Sequence, residues 1–210
     1  MRLFSYVVAR DYGFAPNPFG KSCTLATCKP QIRQSAAKGD WIIGLSARQD
    51  NPDLSIVYVM RVDNVVTYNE YWSDEQYSYK KPSRSGSLKQ VFGDNIYHRI
   101  EPGGWQQVDS HHSLEDGSPN PRNIANDTQS EHVLIGDRFA YWGSRGPKVP
   151  SAFLNFNDCT IQVGRGHKNR FPSEFVDEFV AWFEAQQEQG YLGPPYRWGR
   201  QKAKWSKPPT

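Results

Sequence analysis

Residues 41–66, WIIGLSARQDNPDLSIVYVMRVDNVV, decide the fold class. Two runs dense in β-branched and aromatic residues, 41–47 and 55–66, flank the polar turn ARQDNPD, a pattern that predicts two strands paired as a hairpin. On the N-terminal side, RLFSYVVAR (2–10) alternates as a strand does, and DYGFAPNPFG (11–20) then breaks any regular element with its prolines and glycines. A short helix is expected over 29–38, where Pro30 suits the first turn, Ile32 and Ala36 give a narrow apolar face and Gly39 caps the end.

On the C-terminal side, residues 67–130 are polar and turn-rich with no sustained period. A compact domain does not hold a structureless loop of that size, so short helices or strands are expected inside it. Strand character returns at 132–135, 138–142 and 158–163. A helix follows over 173–189, because Phe175, Val176, Phe179, Val180 and Phe183 form one apolar face. Strands before and after a helix, without regular βαβ alternation, predict an α+β fold: a mainly antiparallel curved sheet or small β-barrel with flanking helices. Residues 1–195 read as one domain. Beyond Gly193-Pro194-Pro195, residues 196–210 read as a basic tail, with Arg197, Arg200, Lys202, Lys204 and Lys207 among Tyr196, Trp198 and Trp205.

The chain of 210 residues is long enough to bury a core without staples, and its 7 Trp, 11 Tyr and 11 Phe concentrate the apolar content in rings. The net charge of +3 resides in the tail; the rest is slightly acidic. No run approaches the ~20 apolar residues of a membrane span, and residues 1–10 do not resemble a secretory leader, so a cytoplasmic protein without a membrane partner is expected. Three cysteines suit a reducing compartment. Cys23 and Cys28 have no second Cys/His pair at metal-ligand spacing, and the doublet His111-His112 has only Cys159 as a further partner. These read as ordinary thiols, with no metal and no cofactor. The five histidines are scattered, and no catalytic cysteine motif, serine elbow or HExxH helix is present.

Three constellations could carry chemistry. Arg10, Asp11, Tyr12, Phe14, Asn17 and Phe19 share the proline-pinned loop, where Asp11 reads as a recognition carboxylate, a general base or half of a surface pair, and Asn17 as a base-edge reader or a turn former. Residues 67–84, TYNEYWSDEQYSYKKPSR, place Tyr68, Tyr71, Trp72, Tyr77 and Tyr79 ahead of Lys80, Lys81 and Arg84; such rings stack on unpaired bases while the cations meet phosphates, or else serve as core. In GDRFAYWG (136–143), Asp137 and Arg138 stand at a strand end, as a grip on a base or as a structural ion pair.

The opening string MRLFSYVVARDYGFAPNPFGKSCTLATCKPQIRQSAAKGDWIIG, together with YWSDEQYSYKKP, GDNIY and HVLIGDRFAYWG, resembles the nucleotide modification associated domain family of bacteria and phages. The resemblance implies systems that make or handle modified nucleobases in DNA. More distantly, a short helix leading into KGDWIIGLSA, then IVYVMRVDNVV and NEYWSDEQYSYKKP, is similar in order to PUA-like domains of the EVE and YTH type. That likeness implies a barrel with an aromatic-lined base pocket, Trp41 on the strand after the helix and Tyr71, Trp72 and Tyr79 at the rim. The leading expectation is a nucleic-acid-binding protein that recognises a modified or flipped base in a modification or defence system, with DNA or a nucleotide as partner. The alternative is an enzyme that modifies a nucleotide or base, with Asp11 or Asp137 in acid–base roles and Arg10 or Arg138 stabilising negative charge.

Overall fold

The 41–66 stretch forms its hairpin. A computed structural model describes residues 1–100 and 103–198. The elements are β1 (Leu3–Val8), β2 (Cys23–Leu25), α1 (Pro30–Ser35), β3 (Trp41–Ser46), β4 (Ile56–Arg61), β5 (Asn64–Thr67), α2 (Tyr68–Ser73), α3 (Leu88–Val91), β6 (Tyr97–Ile100), β7 (Gly104–Gln107), α4 (Pro121–Asp127), β8 (His132–Gly136), β9 (Phe139–Tyr141), β10 (His167–Lys168), α5 (Ser173–Glu184) and β11 (Gly190–Tyr191). Strands β3 and β4 pair antiparallel from Trp41 opposite Arg61 to Leu45 opposite Ile56. Gly44 is required there, because a Cβ would lie 2.4 Å from the Tyr58 ring.

Strand β1 runs parallel to β3, with α1 on the connection between them. The six-stranded sheet has the order β10-β1-β3-β4-β9-β11; β2-β8-β5 form a second sheet, and β6 pairs with β7. The fold is therefore α+β with mixed and antiparallel sheets. The expected barrel is not formed: the large sheet ends in β10 and β11, which pair with β1 and β9 and not with one another.

Alternation along the strands gives the large sheet two buried faces. Leu3, Trp41, Ile43 and Val59 pack against Phe175, Phe179 and Phe183 of α5. Phe4, Tyr6, Ile42, Tyr58 and Met60 face Cys23, Leu25, Ile32 and Leu134 of α1 and the second sheet. Each such large side chain contributes about 1.5–3 kcal/mol by leaving water. Trp41 belongs to this core, 2% exposed and edge-on to Phe183, so it is not at the rim of a pocket.

Several expected boundaries shift for local reasons. The 55–66 run splits into β4 and β5, because the Asp63 carboxylate between them accepts the backbone N–H groups of Asp137 and Arg138 and fixes a bend. Residues 158–163 are not a strand. Asn157 and Asp158 take left-handed φ values of 46° and 63°, closing a tight turn in which Phe156 and Cys159 exchange backbone hydrogen bonds. Helix α5 stops at Glu184, short of Gly190. The start of the expected tail lies against the body. Tyr196 N–H donates to Asp11, Arg197 pairs with Asp50 at 2.8 Å, and the Trp198 indole donates to the Tyr12 carbonyl. Arg200, Lys202, Lys204, Trp205 and Lys207 lie outside the described residues. Among the described residues, no helix is long and apolar enough to cross a membrane.

Candidate active site

The expected aromatic and cationic residues do not converge on a shared hollow. Tyr71 is fully buried with its hydroxyl on Asp94 at 2.9 Å. Lys80 is buried too, and its ammonium donates to both oxygens of Asn17 and to the Ser22 carbonyl. Burial, partly opposed by the Asp94 charge, draws Lys80 down to about 8. Asn17 has no free edge: its amide donates to the Phe92 carbonyl while its side-chain oxygen holds Lys80 and the Phe19 N–H. These three residues knit loop to core instead of meeting bases or phosphates.

Trp72 is half-buried between the His98 ring, stacked at 4.1 Å, and the Lys81 ammonium, 3.9 Å from its centroid. The ring is thus already engaged by two protein partners. Tyr12 is half-buried on Phe92, Arg84 pairs with Asp109, and Tyr79 is 41% exposed over Gly20. Arg10 is exposed, but its neighbour Asp11 is buried, taking the Tyr141 hydroxyl at 2.5 Å and the N–H groups of Gly13 and Tyr196. Burial pushes the Asp11 carboxyl up. Shut in this way, it has no path to a substrate proton. Asp137 and Arg138 line an open cleft with Lys38, Arg61, Asp63 and Gln189, and Arg138 is paired with Glu184.

A different set converges. The turn after β2 carries Cys28, the loop between β7 and α4 carries His112, and the last residue of α4 is Asp127. His112 Nε2 lies 3.7 Å from Cys28 Sγ, and His112 Nδ1 lies 2.8 Å from Asp127 Oδ2. The order is that of a thiol nucleophile, its base, and a carboxylate that orients the base. With Nδ1–H donated to Asp127, the ring is oriented so that Nε2 faces the sulfur.

The backbone at the thiol is held in an unusual form. Cys28 and Lys29 are consecutive non-glycine residues with left-handed φ values of 57° and 41°. Pro30 disfavours the right-handed helical region for Lys29, which keeps the turn from being absorbed into α1. Asp127 Oδ1 accepts the Cys28 N–H at 2.8 Å, and the Arg33 Nε–H donates to the Cys28 carbonyl at 2.9 Å. Arg33 is fully buried, and its Nη1 and Nη2 groups donate to the carbonyls of Ser130, His132 and Asp127. Around the carboxylate, Tyr97 donates to Asp127 Oδ2 at 3.0 Å, while Gln107 donates to Tyr97. Asn123 holds the His112 carbonyl at 2.7 Å.

Burial works against a charged His112, but the hydrogen bonds and charges of Asp127 and Cys28 outweigh it and hold the ring up at about 10. Burial likewise opposes the Asp127 charge, and His112, the Cys28 N–H and Arg33 overcome it, so the carboxyl stays low. The neighbouring His111 is pushed down to about 3, by burial first and then by His112, Arg10 and Arg84. One histidine of the doublet is thus a neutral packing ring against Tyr12 and Phe14, and the other is the charged partner of the thiol.

The three ligand atoms lie within 4.8 Å of one another, which invites comparison with a metal centre. The donor set does not fit one well. Asp127 Oδ1 already takes Cys28 N–H and Asn126, and Oδ2 takes Tyr97 and His112. Only a sulfur and one imidazole nitrogen remain, fewer than the three or four protein ligands of a zinc site.

The fold and this site define an α+β protein in which a buried Asp127 holds a half-buried His112 against a half-buried thiol. The chain belongs to the nucleotide modification associated domain 2 family, whose model matches residues 1–202, and this associates it with nucleotide modification systems. No curated protein and no solved structure matches it.

Proposed function

We propose that this protein is a thiol-dependent enzyme of a nucleotide modification system, with Cys28 as nucleophile. The carrying observation is the Cys28–His112–Asp127 relay, with its 3.7 Å and 2.8 Å contacts, on a scaffold that fixes all three residues. Beside the charged His112, Sγ gives up its proton to solvent and forms a bond to an electrophilic carbon of the nucleotide or of a group attached to it, while the bond to the departing group breaks. The imidazolium gives its Nε2 proton to that group, and the neutral ring then takes a proton from the water or second acceptor that cleaves the S–C bond. Asp127 keeps the ring oriented and stabilises its charge. Such a thiol needs a reducing compartment, in keeping with a cytoplasmic protein and three free cysteines.

A panel of modified and unmodified nucleotides tests the reading. Turnover and a covalent adduct on the Cys28 peptide are expected for the parent and absent for Cys28→Ser; full turnover by Cys28→Ser would overturn it. Recognition of a modified or flipped base, with a PUA-like pocket, is the second reading. Its support is the exposure of Tyr79 and Arg10, together with Lys81 and Arg84 on the same half of the chain.

A further inference from the structure

Lys29 directly follows the proposed nucleophile and lacks a counter-charge. Lys29 is half-buried, its ammonium lies 4.7 Å from the centroid of the Tyr6 ring, and among the described residues it forms no ion pair and no hydrogen bond. Across the β1–β10 pairing, His167 stands directly opposite Tyr6, so both side chains lie on one face of the sheet edge. Burial, then the Lys29 charge, keep His167 neutral and able to donate. Burial also lowers Lys29, and the Cys28 sulfur beside it in sequence pulls the other way. Two residues before His167, exposed Arg165 adds a third cation-forming group on a loop flanked by Gly164 and Gly166.

A cation that has lost part of its hydration and gained no carboxylate is held at a cost, and an arriving anion relieves it. The aromatic ring beneath supplies only a weak attraction of about 0.5–2 kcal/mol. The left-handed turn that presents Cys28 presents Lys29 as well, so whatever binds one is within range of the other. We propose that Lys29 and His167 form an oxyanion subsite beside the Cys28 thiol, which takes the phosphate group of a nucleotide substrate. The subsite rests on the reading of Cys28 as nucleophile and adds to it the charge of the substrate and the place where that charge sits. Lys29 is a binding residue here; the proton relay does not need it.

The test uses two alkylating reagents of the same shape, anionic iodoacetate and neutral iodoacetamide, on the full chain and on Lys29→Gln. Labelling of Cys28 and Cys159 is followed separately by peptide mass. Any general change in thiol reactivity or folding alters both reagents alike and cancels in their ratio. The iodoacetate-to-iodoacetamide rate ratio at Cys28 should fall about tenfold in Lys29→Gln. Inorganic phosphate should slow iodoacetate at Cys28 in the parent and leave the variant unchanged. An equal ratio in the two proteins, with Cys28 still outpacing Cys159, would overturn the subsite and leave the thiol relay standing. Cys28 reacting no faster than Cys159 with iodoacetamide would overturn the relay and the subsite with it.

Discussion

Replacing Asp127 with Asn isolates the centre of the site with the smallest change of shape. The carboxylate accepts His112 Nδ1 at 2.8 Å, the Tyr97 hydroxyl at 3.0 Å, the Cys28 N–H at 2.8 Å and Asn126 at 3.1 Å. An amide puts an NH2 group toward donors whichever way it turns, so one pair is left unsatisfied, and the ring loses its counter-charge. The expected loss of stability is about 3–5 kcal/mol. Its pH dependence is the sharper test. His112 is held at about 10 in the fold against an ordinary 6.5, so its contribution is complete below the unfolded value and disappears as pH rises through about 10. Asp127 is lowered from 3.8, so its contribution exists above that value and is lost on acidification. The stability gap between parent and Asp127→Asn should therefore be widest between these two unfolded values. It should then narrow by on the order of 3 kcal/mol from about pH 6 to about pH 10. Urea unfolding followed by tryptophan fluorescence reads the gap directly. A gap that stays constant over that range would show that His112 is not held charged by Asp127.

Arg33→Met keeps much of the side-chain volume but strips donors from the carbonyls of Cys28, Asp127, Ser130 and His132; a loss of about 3–5 kcal/mol is expected, and an unchanged melting temperature would contradict the clamp. Phe179→Ala empties a position in the α5 layer and should cost about 3–5 kcal/mol in denaturant unfolding. Because that layer lies on the sheet face opposite Cys23 and Leu25, Cys28 should still be alkylated at the parental rate below the melting transition. A large drop in that rate would mean that the two sides of the sheet are coupled.

What was legible in the sequence follows from period. The 41–66 hairpin, β1 and α5 bury one or both faces of a regular element, and their apolar spacing announces it. The site has no period to announce it. Cys28 and His112 are 84 residues apart and lie in turns, and Asp127 closes a helix too short and polar to be seen. The signals present were weak: a cysteine two residues before the helix-starting Pro30, and a histidine doublet in a polar loop. The rings and cations of 67–84 misled for another reason. A tyrosine has the same letter whether its hydroxyl faces Asp94 inside, as in Tyr71, or water, as in Tyr79. A lysine is almost never fully buried, so Lys80 read as surface; the three oxygens of Asn17 and Ser22 around it, with the Asp94 charge, make its burial tolerable.

The most direct measurement is a competition between two thiols of the same molecule. Brief exposure to limiting iodoacetamide near neutral pH, with Cys28 and Cys159 quantified by peptide mass, compares a cysteine that faces an imidazole with one that has Lys168 at 3.6 Å. Labelling of Cys28 well ahead of Cys159 in the parent, with the lead abolished in His112→Gln, is the result expected of a working relay. Equal labelling of the two cysteines, or a lead that survives in His112→Gln, would contradict it.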